Sequence, residues 1–407
     1  MKWIDGGVTA PKGFSAAGVS AGIKKNGIKD MAMVYSEAPC AAAGVFTTNV
    51  VKAAPVKWDY QVVRESAYAQ AVVVNSGIAN ACTGAEGFGH CQETAKAAGE
   101  ALCIPAEAVL VASTGVIGAA LPMDKIKAGV GSLKEALGSD RQAGALAAQA
   151  IMTTDTKPKE VAVETLIGGK AVTVAGMCKG SGMIHPNMAT MLCFVVSDVD
   201  ISRGLLQKAL SDDVEDTFNM ISVDGDTSTN DSVLLLANGL AGNKKITEEN
   251  EDYRAFCEAL HVVMEGLSKK IAGDGEGATC LFEVKVLGAP SKEAARTLAK
   301  SVVTSSLTKA AIYGHDANWG RILCALGYSG VSFDPEQVDI WFESRAGKLK
   351  IVENGVSTGY SEEEATKILS EEEVTAIADM KAGEASATAW GCDLTYDYVK
   401  INADYRS

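Results

Sequence analysis

The sequence predicts a layered α/β or α+β protein, and three observations carry that expectation. Strand-like and helix-like segments come in pairs along the chain, without a repeat, which argues against a propeller or a helical bundle. Hydrophobic residues make up 47% and charged residues 22% of the 407 positions, enough to bury full cores without disulfide or metal staples. Glycine is abundant, 41 residues against 9 prolines, which signals tight turns and close backbone approaches instead of flexible linkers. At this length two or three domains are expected.

In chain order, the β-branched run 71–74 reads as a buried strand opening into the polar loop 75–80. A helix follows over 93–102, stopped by Pro105, and then a strand over 109–112 ending at Ser113-Thr114-Gly115. An alanine-rich helix is expected over 140–152, capped by Ser139 or Asp140, before strands at 171–174 and 192–196. The pattern turns helical over 201–218, returns to strand at 232–236, and becomes a long helix over 253–272. After a strand at 281–287, the turn Gly288-Ala289-Pro290-Ser291 is the expected domain boundary, dividing 1–288 from 289–407. Beyond it lie a helix over 292–308, strands at 338–343 and 348–352, and a charged helix over 361–380.

A net charge of −14 with no basic run makes nucleic acid or an anionic membrane a poor partner. No apolar stretch approaches the ~18–20 residues needed to span a bilayer, and the first residues carry no apolar signal core. The ten cysteines form no C-x-x-C pair, which fits reduced thiols in a cytoplasmic protein. His90, His185, His261 and His315 are too scattered to suggest a metal cluster.

Two motifs fail on their context. Gly18-Val19-Ser20-Ala21-Gly22 has the spelling of a serine-hydrolase elbow, but the preceding 9–14 stretch is turn-like and the elbow requires strand, turn and helix in succession. Gly273-Asp274-Gly275-Glu276-Gly277 is G-x-G-x-G and follows a helix, so it is no dinucleotide fingerprint.

The segment with chemistry is Lys179-Gly180-Ser181-Gly182-Met183-Ile184-His185-Pro186-Asn187-Met188-Ala189-Thr190-Met191-Leu192. A polar, proline-containing loop runs into Thr190 and directly into an apolar strand. Thr190 reads either as a strand-start residue or as a nucleophile that attacks the Ala189 carbonyl and cuts its own peptide bond. Cleavage would leave the Thr190 α-amine, which titrates near pH ~8, as a built-in base for its own hydroxyl.

This segment resembles the self-processing segment of the glutamate/ornithine N-acetyltransferases of arginine biosynthesis. Further blocks resemble that family in the same order: 75–81, Ser113-Thr114-Gly115-Val116-Ile117-Gly118, Met152-Thr153-Thr154-Asp155-Thr156, 273–279, 314–321 and Ile401-Asn402-Ala403-Asp404-Tyr405-Arg406-Ser407. The resemblance implies an α-β-β-α sandwich shared with self-cleaving aminopeptidases, plus a C-terminal α/β domain whose tail reaches the active site. It implies cleavage between Ala189 and Thr190 into chains 1–189 and 190–407, associated as a heterotetramer of two of each. Thr190 would be the nucleophile, and Thr114 and Gly115 the oxyanion hole. Thr153, Lys179, Thr190, Glu276, Asn402 and Ser407 would contact substrate, with Thr154 an alternative to Thr153.

The implied activity is ping-pong transfer of acetyl from N2-acetyl-L-ornithine to L-glutamate. No cofactor or metal is implied, and acetyl-CoA would serve as a second donor in a bifunctional enzyme. A monofunctional ornithine acetyltransferase, an aminopeptidase or amidohydrolase of the same fold, and a non-catalytic amino-acid-binding protein are the alternatives.

Overall fold

A computed structural model of the chain describes residues 1–185 and 191–403. The first part comprises β1 (Lys2–Trp3), β2 (Phe14–Val19), β3 (Met31–Phe46), α1 (Ala54–Glu65), β4 (Ala69–Ile78), α2 (Gly84–Leu102), β5 (Val109–Val116), α3 (Met123–Ala136), α4 (Arg141–Ala150), β6 (Lys159–Ile167) and β7 (Lys170–Lys179). The middle holds β8 (Leu192–Ser197), α5 (Arg203–Val214), β9 (Ser232–Ala237) and α6 (Glu251–Gly273). The remainder is β10 (Leu281–Ala289), α7 (Lys292–Thr304), α8 (Ser306–Tyr313), α9 (Trp319–Gly327), β11 (Asp339–Ser344), β12 (Gly347–Glu353), β13 (Val356–Ser357), α10 (Glu362–Leu369), β14 (Glu373–Asp379), β15 (Ala385–Cys392) and α11 (Tyr396–Ala403).

The long strand β3 joins two sheet layers. Its first half pairs with β2 and β4, its register shifts between Tyr35 and Cys40, and its second half pairs with β9. One layer is therefore β2-β3-β4-β5 and the other runs β1-β6-β7-β8-β9-β3. The period of two along β8 sorts its side chains between two cores. Leu192, Phe194 and Val196 join Val72, Leu110 and Met33 in the core between the sheets. Cys193 and Val195 point the other way, toward Leu260, Val263 and Leu267 of α6. Helices α1 to α3 pack on the β2–β5 layer, and α5 and α6 on the other, which makes a four-layer α-β-β-α sandwich.

A second, six-stranded sheet has the order β13-β12-β11-β14-β10-β15, with α7 and α10 packed on it. Helix α6 touches both β6 and β7 of the first sheet and β10 and β15 of the second. It is capped by the Asn250 side chain, which accepts the Tyr253 N–H, and carries Glu251 and Asp252 in its first turn where the helix dipole favours them. Its buried stripe Phe256, Leu260, Val263, Leu267 and Ile271 follows the helical period.

Several expectations need correction. The charged helix of 361–380 ends at Leu369, because the following Val374-Thr375-Ala376-Ile377-Ala378 is strand-forming and becomes β14, paired in parallel with β10. The helix of 292–308 breaks at Ser305, whose hydroxyl caps α8 by accepting the Thr308 N–H. Phe14–Val19 is a strand, but no helix follows Ser20, so the hydrolase elbow still fails. The cap of α4 is Asp140, which accepts the Ala143 N–H. All ten cysteines are unpaired, and no described helix is long and apolar enough to cross a membrane.

Candidate active site

One side of the site is backbone. Strands β4 and β5 run parallel from Ala71 opposite Val109 to Gly77 opposite Gly115, where the register slips. Gly115 sits at φ 128°, and a Cβ there would lie 2.3 Å from the Gly77 carbonyl carbon, so only glycine fits. Buried side chains hold this bulge in place. Ser113 Oγ donates to Asn75 Oδ1 at 2.6 Å, and Asn75 Nδ2 donates to the Ile78 carbonyl at 2.9 Å. Asn230 Nδ2 donates to the carbonyls of Ala79 (2.6 Å) and Ser113 (2.7 Å), tying the start of β9 to the Thr114-Gly115 turn.

A second side is built around Asp155. Its Oδ1 accepts the Gly180 N–H at 2.7 Å and the Lys159 ammonium at 2.6 Å, while Oδ2 accepts the Thr153 N–H at 3.0 Å. One carboxylate thus fixes both the Thr153 turn and the end of β7 that delivers Lys179. Lys159 Nζ also reaches Asp274 Oδ2 at 2.5 Å, anchoring the loop after α6. Burial works to raise the Asp155 carboxyl, but the Lys179 and Lys159 charges and the bonds from Lys159 and Thr153 outweigh it and hold it well below the usual carboxylate range. Lys179 itself is buried, and its ammonium forms no hydrogen bond or ion pair with another described residue.

The third side comes from both sheets. The Glu276 N–H donates to the Ser181 carbonyl at 2.9 Å, and Ser181 Oγ to the Asp274 carbonyl at 2.7 Å, so the 273–277 loop is laced to the loop after β7. A Cβ on Gly182 would meet the Glu276 carboxylate at 2.3 Å; a glycine there makes room for the acid. Helix α11 is held by Thr395 Oγ1 donating to the Gly277 carbonyl at 2.8 Å, and its Asn402 Nδ2 donates to Glu276 Oε2 at 2.7 Å.

Thr114, Gly115, Thr153, Lys179, Glu276 and Asn402 all line one cavity of about 140 Å³. Thr154 lines it too, so both members of the Thr153-Thr154 pair reach the site. Ala189, Thr190 and Ser407 lie outside the described residues. The chain on either side of 186–190 is firmly held. Asp224 accepts the N–H groups of Met183 (2.6 Å) and Ile184 (2.8 Å), and the Met191 carbonyl accepts the Ser232 N–H at 2.9 Å. Met191, bonded to Thr190, lines the cavity.

His185, the histidine nearest Thr190 in sequence, faces a different cavity with Lys300, and burial together with the Lys300 charge lowers it to about 4. It is neutral at pH 7. Among the described residues no cluster of His, Cys, Asp and Glu could hold a metal. The arrangement offers a polar turn at a glycine bulge, a buried cation and a buried anion around a small cavity. That combination suits a zwitterionic substrate and a reaction that develops negative charge on an oxygen.

Residues 15–407 match the ArgJ family. The arginine biosynthesis bifunctional protein ArgJ of Symbiobacterium thermophilum is 55% identical over 409 residues, with 100% of both chains covered. Its namesake from Thermotoga neapolitana is 52% identical over 98% of this chain and 99% of the relative. The crystal structure of the arginine biosynthesis bifunctional protein argJ from Bacillus halodurans is 49% identical with a TM-score of 0.50, covering 52% of this chain and 98% of the solved one.

Proposed function

Because this chain belongs to the ArgJ family, we propose that it is a self-processing N-acetyltransferase of arginine biosynthesis that moves acetyl from N2-acetyl-L-ornithine to L-glutamate and also takes acetyl-CoA as donor. The observation that carries this reading is the convergence of Thr114, Gly115, Thr153, Lys179, Glu276 and Asn402, from five separate stretches of sequence, on the cavity that Met191 also lines.

Cleavage after Ala189 frees the Thr190 α-amine, which takes the proton of its own hydroxyl as Oγ attacks the N-acetyl carbonyl. The Thr114 hydroxyl and Gly115 N–H receive the developing oxyanion, each donor worth about 3 kcal/mol. Ornithine leaves, and the glutamate amine attacks the acetyl-threonine ester, a more reactive acyl donor than the starting amide. Lys179 takes a substrate carboxylate and Glu276 the ornithine side-chain ammonium, with Asn402 orienting the Glu276 carboxylate. Thr153 and the Ser407 terminus complete the contacts.

Two further observations support processing. The B. halodurans chain aligns over 98% of its length with 52% of this one, the share expected of one product of a cut near the middle. Such a cut also leaves the products sharing sheets, since β7 pairs with β8 across it and β3 pairs with β9. This pairing supports fragments that stay together; a heterotetramer of two of each, in the cytoplasm, is what the family resemblance implies. Denaturing electrophoresis with intact-mass measurement tests the reading: chains 1–189 and 190–407 are expected from the wild type and one full-length chain from Thr190→Ala. A wild type that remains intact while active would refute it.

A further inference from the structure

The Thr114-Gly115 turn and the Thr153 turn are each held by their own bonds, and the connection between β2 and β3, residues 20–30, ties one to the other. It opens with Ser20-Ala21-Gly22, the end of the stretch that failed as a hydrolase elbow. Asp30, fully buried just before β3, folds it. Its Oδ1 accepts the Ala21 N–H at 2.6 Å, and its Oδ2 accepts the N–H groups of Ile23 (2.6 Å) and Lys24 (2.9 Å). Gly22, at φ 80°, supplies the left-handed turn within this loop. A carboxylate that gathers three backbone donors makes a stiff base for the side chain that leaves it.

From that base Lys24 reaches both turns. Its stem lies against Gly77: a Cβ on that glycine would come within 3.2 Å of Lys24 Cγ and 3.3 Å of Ile23 Cγ2. Gly77 is also the residue whose backbone fills the space beside Gly115, so Lys24, Gly77 and Gly115 are in successive contact. The Lys24 ammonium donates to the Met152 carbonyl at 2.5 Å, with a longer bond to the Lys29 carbonyl at 3.4 Å. The N–H of the same peptide unit, that of Thr153, donates to Asp155 Oδ2 at 3.0 Å. Charged side chains therefore hold that peptide at both of its polar ends. Ser76 of β4 adds a bond to the Ala150 carbonyl at 2.6 Å, so this stretch is fastened to β4 as well.

We propose that Lys24 is a positioning residue for acetyl transfer, its stem bracing the Thr114-Gly115 turn and its ammonium fixing the Thr153 turn. It sets the separation between the oxyanion donors and a substrate contact, and it acts through them, since Lys24 is not among the residues that line the cavity. The inference rests on the roles proposed above for Thr114, Gly115 and Thr153. Burial lowers the Lys24 ammonium to about 8, with Lys179 adding to the shift and Asp30 and Asp155 opposing it. At pH 7 it stays charged, and a charge-assisted bond is roughly twice as strong as a neutral one.

The test separates the stem from the charge. Lys24→Met keeps an unbranched stem against Gly77 and loses the donor, so KM for N-acetylornithine should rise about 10-fold with kcat within about threefold of wild type. Lys24→Ala loses both, and kcat should fall about 10-fold further as the oxyanion donors shift. Lys24→Arg keeps a stem and a donor and should return KM to within about threefold of wild type. A general loss of stability would not divide KM from kcat between the Met and Ala variants. Lys24→Met and Lys24→Ala enzymes with wild-type KM and kcat overturn the proposal, and so do equal losses in all three variants. A wild type that transfers no acetyl overturns the proposed function on which this role rests; an active wild type beside unaffected variants overturns the role alone.

Should the variants fail to fold, the wild-type protein decides the matter. Brief reductive methylation with formaldehyde and cyanoborohydride, mapped by mass, compares Lys24 with its exposed neighbour Lys25. Lys24, turned onto the Met152 carbonyl, should react about 10-fold more slowly or less. Equal rates at the two lysines overturn the proposal.

Discussion

The side of the cavity formed by Thr114 and Gly115 is set by strand pairing and buried amides, whereas the side formed by Lys179, Glu276 and Asn402 is set by long side chains and a few bonds between loops. In the first, Gly115 has no freedom: Gly77 fills the space beside it, and Asn75, Ser113 and Asn230 fasten the carbonyls around it. In the second, Asn402 holds Glu276 through a single bond from a helix whose exposed tip lies at the edge of the described chain. The difference fits the roles proposed for the two sides. Donors that meet a developing oxyanion must be in place before the reaction, since reorganisation during it would forfeit their worth. Groups proposed to accept ornithine in one half-reaction and glutamate in the next must adjust.

This contrast predicts a graded response to substitution. The largest loss is expected from Gly115→Ala, where the new methyl collides with the Gly77 backbone and the 128° φ is forbidden to it. Acetyl transfer should fall by more than about a thousandfold, with maturation impaired. Thr114→Ala removes one donor and leaves the backbone alone, so kcat should fall about 10²–10³-fold with little change in KM. If Gly115→Ala proved milder than Thr114→Ala in steady-state assays, the backbone side would not be the rigid one.

The Asp155–Lys159–Asp274 ion pairs join the two kinds of wall, and their loss reads as stability. Lys159→Met strands two carboxylates in a buried site and should cost about 3–5 kcal/mol by denaturant unfolding. The sign of the pH dependence follows from the shifts. The folded Asp155 carboxyl is depressed, so its contribution is complete above its unfolded value of about 3.9 and is lost as pH falls below that. Burial lowers the Lys159 ammonium, but Asp155 and Asp274 outweigh it and raise it, so its contribution is complete below an unfolded value of about 10.4 and is lost above. The gap between wild type and variant should stay constant from pH 5 to pH 8 and narrow in strong acid; a gap that widens there contradicts the assignment.

The smallest effect is expected at Asn402. Asn402→Ala removes one hydrogen bond from Glu276 and should raise KM for N-acetylornithine by about 2–10-fold, with kcat nearly unchanged. A large kcat effect would move Asn402 from recognition to the reacting centre.

The sequence disclosed the parts of this site that are local. Ser113-Thr114-Gly115 ends a β-branched strand, Thr153 and Glu276 stand in polar or glycine-rich turns and Lys179 closes β7; it is the resemblance to the family blocks, and not these few residues taken alone, that singles them out. Asp155 and Asn230 were missed as site residues because their partners are remote: Asn230 acts on carbonyls at 79 and 113, and Asp155 on Gly180. The polar trio Thr229-Asn230-Asp231 just before the apolar run of β9 was the available signal. Strand β3 was hidden for another reason. Most of its second half, Cys40-Ala41-Ala42-Ala43-Gly44, is small and lacks β-branched residues, although pairing of Ala41 through Phe46 with the six residues of β9 fixes it as strand. The glutamates at 371–373 extend the charged, helix-like pattern into 373–379, while parallel pairing with β10 makes that stretch a strand.

The central claim is that Thr190, freed at a chain terminus by self-cleavage, carries the acetyl group between the two half-reactions. Incubating the processed enzyme with N-acetylornithine and no acceptor, quenching in acid and mapping both fragments by mass tests it most directly. One acetyl mass is expected on the N-terminal peptide of the 190–407 fragment, discharged when glutamate is added. Turnover with no acetyl at Thr190, or with a stable acetyl at another residue, would contradict the account.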